Sequence, residues 1–212
     1  LGDEEFHAHW REPHGRLALN IRAMRRYVQA HRIPEPSLPE SNARFEGFAE
    51  VWLDDLATAL GLGQDEDYQR YLVPDEPNFC DQSGLRFLIT REEIVRRGPT
   101  VRREERLFKV IQLVSRRADV SAPRFADEWG RGDESLVVAL GALRYVRCRA
   151  VPSTLDPVNG LSGVRELWWP DADSFRQARK RAPEAFAALL ADPLVDPSHG
   201  CIEAVDELRL LW

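Results

Sequence analysis

The chain has 212 residues, a formal charge of −6, 43% hydrophobic and 30% charged residues and a mean hydropathy of −0.42, a profile of one large or two small globular domains. The acidic balance argues against nucleic acid as the main ligand, because a phosphate-tracking surface concentrates Lys and Arg, whereas Arg96-Arg97, Arg102-Arg103 and Arg116-Arg117 are scattered among acids. No apolar run approaches the roughly 20 residues that span a bilayer, no signal-type stretch stands out, and Cys80, Cys148 and Cys201 are too far apart for a zinc knuckle or a disulfide framework, so the expectation is a cytoplasmic protein without a structural metal.

An apolar stripe at Phe6, Trp10, Leu17, Ile21 and Met24 predicts a helix beginning near Asp3, kinked at Pro13, with His14 as one polar place on the stripe. Arg26–Ile33 (RYVQAHRI) alternates as a strand, a Pro/Ser/Asn-rich connector follows at Pro34–Asn42, and Gly47–Trp52 is the next strand. Helical stretches at Asp54–Leu62 and Asp65–Tyr71 lead to a strand at Leu85–Thr90 (LRFLIT). Leu107–Ser115 (LFKVIQLVS) opens the second half as a strand. A helix from Ser121 then carries Phe125, Trp129, Leu136, Leu140 and Leu143, which repeat the first stripe at an offset of 119 residues, with Asp133 in the place of His14. Gly130 and Gly132 weaken this helix where Pro13 kinks the first. Tyr145–Val151 (YVRCRAV), a connector at Pro152–Asn159, a strand at Gly163–Trp168, helices over Asp171–Leu190 broken at Pro183, and a strand at Glu207–Trp212 complete the chain.

The G-x-x-E-x-W shared by Gly47–Trp52 and Gly163–Trp168 is the sharpest internal match. The second half reads βαββαβ, the split-βαβ order, and the first half αββαβ, whose opening strand is expected before Leu1 in the natural chain. The fold class expected is therefore α+β, with two ferredoxin-like repeats, residues 1–104 and a degenerate 105–212.

The segments Phe6-His-Ala-His-Trp10-Arg-Glu-Pro-His14, Arg26-Tyr27-Val-Gln29-Ala-His31, Phe48-Ala-Glu50-Val-Trp52-Leu-Asp54-Asp55 and Asp75-Glu-Pro-Asn78-Phe79-Cys-Asp81 resemble the EthD-domain family of dimeric α+β barrel proteins. The resemblance covers nearly all of 1–104 and, more weakly, 105–212, so the chain looks like a tandem EthD-type protein. It implies two four-stranded sheets facing one another as a barrel, with helices outside, both sheets coming from one chain. Relatives in that superfamily include cofactor-free polyketide cyclases and monooxygenases, lactone isomerases and haem enzymes, and fold alone does not choose among them.

Strand alternation places Tyr27, Gln29 and His31 on one face of their strand and Phe48, Glu50 and Trp52 on one face of the next. With the small aliphatic faces turned to the helices, these six are expected to line the barrel together, a site suited to a hydrophobic, partly oxygenated small molecule. His31 is then the acid or base, because its ordinary pKa near 6.5 populates both protonation states. Glu50 orients its ring, while Tyr27 and Gln29 bind a carbonyl or enolate oxygen. The alternative is a structural network in which these polar groups satisfy one another. His14 either turns toward a pocket mouth or is a hydrogen-bonded core histidine, whereas His7 and His9, two apart on a helix, face different directions and form no metal pair. In the second half Arg147 and Arg149 replace Gln29 and His31, while Tyr145, Glu166 and Trp168 keep the pattern. The two arginines either hold an anionic substrate group or neutralise Glu50 and Glu166 as buried ion pairs. Asp81 is expected at the rim. There is no Walker loop, G-x-G-x-x-G or G-x-S-x-G.

The expected function is thus a cofactor-independent lyase, isomerase or cyclase that rearranges, cyclises or eliminates a hydrophobic carbonyl or phenolic substrate. Two alternatives stand beside it: a non-catalytic small-molecule-binding or assembly module, and a haem-binding barrel with His31 as axial ligand. Trp169, Trp212 and the sheet edges leave room for a homodimer.

Overall fold

Pro13 breaks the first helix as its chemistry requires: it cannot donate a backbone hydrogen bond, and its ring crowds the carbonyl four residues back. Helix α1 (Asp3–His9) therefore widens into a π-helical segment, Trp10–His14, before α2 (Gly15–Ala18). The computed structural model describes residues 1–40, 45–151 and 160–212; Ser41 and Asn42 of the first expected connector, and all of Pro152–Asn159, lie outside the described residues. The fold is mixed α/β with antiparallel strand pairs, consistent with a dimeric α+β barrel, and it divides into two compact units. No helix among the described residues is long and apolar enough to cross a membrane.

Unit 1 comprises Leu1–Arg32, Phe45–Phe87 and Glu207–Trp212. After α2 come β1 (Arg26–Ile33), β2 (Gly47–Trp52), α3 (Leu56–Gly61) and α4 (Glu66–Tyr71). Asp55 and Asp65 cap the two short helices by accepting from Thr58 N and from Asp67 N and Tyr68 N. Ile21 and Met24 of the stripe close with Ala18, Tyr27 and Leu72 into the core of this unit.

Unit 2 comprises Ile33–Arg44 and Leu88–Asp206. It contains β3 (Thr90–Arg96), β4 (Phe108–Arg116), α5 (Ala122–Glu128), α6 (Asp133–Ala139), β5 (Arg144–Ala150), β6 (Leu161–Trp169), α7 (Ala172–Arg181), α8 (Pro183–Leu190) and most of β7 (Val195–Leu211). Its strands lie in the order β7-β4-β6-β5-β3, so the second half has the split-βαβ order read from its sequence, with β3 added beside β5. Gly130 (φ +73°) and Gly132 (φ +87°) occupy the left-handed region and separate α5 from α6. Trp169, Phe175, Leu140 and Tyr145 are among its fully buried core residues.

Among its described residues the first half shows no matching four-stranded repeat. Its described sheet is β2-β1-β7, and the expected strand at Leu85–Thr90 contributes only its last residue. A strand forms only where another pairs with it; the Ile89 carbonyl accepts from Val151 N at 2.9 Å, but none of the described strands pairs with Leu85–Leu88, and Phe87 is 71% exposed. Strand β7 is longer than the expected Glu207–Trp212 because Gly200–Val205 pair with β4, and Asp196–His199 are carried as an irregularity of that ladder, with Arg116 pairing Val195 and Val114 pairing Gly200.

The duplicated motif has a packing cause. A Cβ on Gly47 would stand 2.2 Å from the Trp10 ring, and one on Gly163 2.6 Å from the Trp129 ring. In both units an indole lies against the strand backbone where only glycine leaves room.

Candidate active site

The ladder between β1 and β2 divides the six residues expected to line one site. Tyr27 pairs Val51, Gln29 pairs Ala49 and His31 pairs Gly47, whereas Phe48, Glu50 and Trp52 pair Ala30, Val28 and Arg26. Directly opposed residues share a face, so Phe48, Glu50 and Trp52 lie on the face away from Tyr27, Gln29 and His31. The polar face of β1 turns to the helices, not into a barrel interior. On the other face the Arg26 guanidinium lies 4.2 Å from the Trp52 ring and 3.9 Å from the Trp212 ring, so Trp52 stacks on a cation. Glu50 is not the orienting partner of His31. That partner is Gln29.

The helix-facing network fixes its own proton positions. Gln29 Nε2 donates to the Trp10 carbonyl at 2.7 Å and to Tyr27 Oη at 3.1 Å, and Trp10 Nε1 donates to the same phenol at 3.3 Å. The Gln29 amide oxygen is therefore the acceptor that faces His31 Nε2 at 3.1 Å, which makes that nitrogen the protonated one. In a neutral His31 the Nδ1 accepts, and its partner at 2.9 Å is His7 Nδ1, which must donate. His7 is left with an Nε2 lone pair that makes no hydrogen bond among the described residues. Gln29 is fully buried, His31 is 3% and Tyr27 2% exposed, while His7 is half-buried at the end of this chain. Burial lowers the His7 pKa, reinforced by Arg11 and Arg32 and opposed by Glu46 and Asp3, so the ring is neutral at pH 7. Tyr27, whose pKa burial raises, sits behind the network and accepts from Gln29 and Trp10.

A second cluster joins α1 and the π-helical segment to the Asp75–Phe79 stretch. His9 Nε2 donates to Asp75 Oδ1 at 2.9 Å and His14 Nδ1 to Asp75 Oδ2 at 3.0 Å. Phe79 stacks on His9 at 5.0 Å and lies 4.8 Å from His14 and 5.7 Å from Phe6. Burial opposes ionisation of Asp75, but hydrogen bonds from His9, His14 and Asn78 outweigh it and hold the carboxyl below its ordinary value. His14 is lowered chiefly by burial, with Asp75 pulling the other way. His14 is thus the hydrogen-bonded, nearly buried histidine of the two readings. Sequence reasoning missed His7 and Asp75. The signal for His7 was its spacing, three residues before Trp10 and seven before His14, on the edge of the same helical face.

Unit 2 fills the corresponding places with charge. Arg147 Nη1 donates to the Trp129 carbonyl at 3.3 Å, as Gln29 does to Trp10, and Tyr145 bonds Asp133, which also accepts from Arg165 Nε at 2.8 Å. Arg147 and Arg149 pair with Glu93, not with Glu50 or Glu166, correcting that expectation: β3 runs beside β5 and brings Glu93 opposite Arg147. Glu166 faces away with Trp168, and both meet the buried Lys109, at 3.4 Å from the carboxylate and 4.6 Å from the ring. Asp81 is exposed and holds a turn through Ser83 N and Oγ.

Among the described residues no group of three or more His, Cys, Asp or Glu side chains is placed to hold a metal ion. His31 does not fit a haem ligand either, since its ring is buried and both nitrogens are hydrogen-bonded within the network. Comparison with known proteins agrees with the fold. An anthrone oxidase-like protein of known structure superposes with a TM-score of 0.61 at 10% identity, over 97% of this chain and 88% of its own. A protein provisionally named a monooxygenase, from Fusobacterium nucleatum subsp. nucleatum ATCC 25586, superposes at 0.53 and 9% identity over 93% and 84%. No curated protein matches the chain in sequence. Residues 1–83, which hold both histidine clusters, match the family model of the EthD domain.

Proposed function

We propose that the chain is a cofactor-independent enzyme of small-molecule metabolism, and that the helix-facing site of unit 1 removes a proton from a hydrophobic carbonyl or phenolic compound. The observation that supports this is the directed chain from Gln29 through His31 to His7, ending on a neutral imidazole with an uncommitted Nε2. His7 is the general base. It takes the proton from a C–H or O–H at Nε2, and the electron pair stays on the substrate as an enolate or phenolate. The imidazolium so formed shares its Nδ1 proton with His31, which Gln29 holds in the accepting tautomer. Tyr27 and Gln29 position His31; the half-buried Phe6 and Phe79, 5.7 Å apart, supply aromatic surface for a hydrophobic ring system. His14 and His9, clamped by Asp75, hold the neighbouring helix turn and its Phe79 wall.

The anion then rearranges, cyclises or eliminates. The names of the two structural neighbours favour a further course in which it meets dioxygen, and proton removal comes first in that course as well. Anthrone, a ketone with an acidic methylene, is the first probe. In D₂O under argon the enzyme is expected to speed loss of its methylene proton signal, and His7→Gln is expected to lower that rate at least 100-fold, within the roughly 10²–10⁴ of general base catalysis. If binding is measured but exchange is not accelerated, or if His7→Gln exchanges as fast as the natural protein, the chain is a binding module and its histidines a structural network.

A further inference from the structure

We propose that unit 2 carries a second ligand site, a cleft walled by β4, β5, β6 and α5 that takes the carboxylate of a small organic acid. Arg116, Arg149 and Ser162 line it on the polar side and Ala122, Phe125 and Ala126 on the apolar side, around a cavity of about 20 Å³. That volume exceeds the ≈10–15 Å³ needed for one water, so it admits a carboxylate head and leaves the hydrocarbon part on the Phe125 wall.

The argument rests on donors without acceptors. Among the described residues, buried side-chain atoms that lack a hydrogen-bond partner include Arg116 Nε, Arg149 Nε and Trp129 Nε1. The first two belong to the lining itself, and Trp129 stacks on Phe125 at 5.2 Å and accepts from Arg149 Nη2 through its carbonyl at 3.3 Å. Ser115 Oγ, next to Arg116 in the chain, is unpartnered as well. Buried N–H groups are nearly always paired, so three orphaned donors in one neighbourhood call for an oxygen ligand. The local charge gives that ligand its sign. Arg147 and Arg149 share one carboxylate, Glu93, and Arg116 spends Nη1 on the carbonyls of Arg117 and Val120. A carboxylate satisfies both conditions at once, because each of its oxygens accepts from a guanidinium N–H. Unit 1 offers no such cleft chemistry, since Gln29 and His31 stand where unit 2 has Arg147 and Arg149.

The test follows the arginine Nε–H and indole N–H signals of the ¹⁵N-labelled protein while benzoate is added, with acetate, inorganic phosphate and chloride at matched ionic strength as further arms. Benzoate is expected to shift the Arg116, Arg149 and Trp129 signals saturably, with at least tenfold tighter binding than acetate or phosphate. Arg149→Lys, which keeps the charge but has no Nε–H, is expected to weaken benzoate at least tenfold, and Phe125→Leu to remove its advantage over acetate. Unmoved signals, or shifts that chloride reproduces, overturn the site. Phosphate binding as tightly as benzoate overturns the organic-acid assignment. An Arg149→Lys protein whose amide spectrum shows it misfolded is replaced by Arg116→Lys, whose side chain is partly exposed, with the same expected loss.

Discussion

Twice in this molecule an indole lies on the glycine of a G-x-x-E-x-W strand while the preceding strand sends a side chain to that indole residue's carbonyl. In unit 1 the messenger is Gln29, in unit 2 Arg147, and beside them stand Tyr27 and Tyr145. The scaffold is the same and the electrostatics are opposite. Unit 1 joins an amide, a phenol and two imidazoles by hydrogen bonds, with no carboxylate or guanidinium in the chain from Tyr27 to His7. Unit 2 locks guanidinium against carboxylate: Arg165 is fully buried between Asp133 and Asp192, at 2.8 and 2.7 Å, and such a pair holds its charges in place. On the function proposed above, one copy moves a proton, while the other keeps its charges paired.

The largest expected effect is in the charged copy. Asp133→Asn removes one carboxylate from buried Arg165 and should cost about 3–5 kcal/mol in urea unfolding. The shared packing is tested next. Gly47→Ala and Gly163→Ala each press a methyl into an indole, and each is expected to cost about 1–3 kcal/mol by the same measurement. A large loss at one site and none at the other would break the correspondence between the units. Converting one copy toward the other sharpens the contrast: Gln29→Arg places a guanidinium under Trp10, deprives His31 Nε2 of its acceptor and should cost about 1–3 kcal/mol, with proton exchange falling at least tenfold.

The smallest effect is a pH dependence that, between about pH 7 and 5, comes from the histidines of unit 1. Burial lowers the folded pKa of His7 and of His14, so below about 6.5 the unfolded chain takes up protons that the folded chain refuses. The unfolded state then binds more protons, and stability falls as pH drops from about 6.5 toward the lowered folded values. Asp75 and Glu93 act lower on the scale: burial opposes their ionisation, hydrogen bonds outweigh it, and the stability they supply above the ordinary carboxylate range is lost as pH falls through their folded values. Hydrogen-exchange protection, corrected for the base-catalysed intrinsic rate, should therefore fall at β1 amides between pH 7 and 5 and stay unchanged at β5 amides.

Much of this arrangement was legible in the sequence. The alternation of RYVQAHRI and GFAEVW marked β1 and β2 to the residue, and Pro13 and the Gly130/Gly132 pair marked both helix breaks. Alternation fixes parity within a strand and says nothing of parity between strands. The ladder sets that, which is why Glu50 and Trp52 were placed with His31 and lie on the opposite face. Asp75 and Glu93 were not legible as partners because each reaches its histidines or arginines across more than 50 residues of chain. The LRFLIT segment has the composition of a strand, yet composition supplies no neighbour to pair with.

The account stands on the direction of the hydrogen-bond chain in unit 1. Long-range ¹⁵N–¹H correlation of the imidazole rings at pH 7.5 reads it directly. The prediction is a neutral His31 carrying its proton on Nε2 and a neutral His7 carrying its proton on Nδ1. A His31 protonated on Nδ1 alone, or a His7 that is an imidazolium at that pH, would contradict the assignment of His7 as the base.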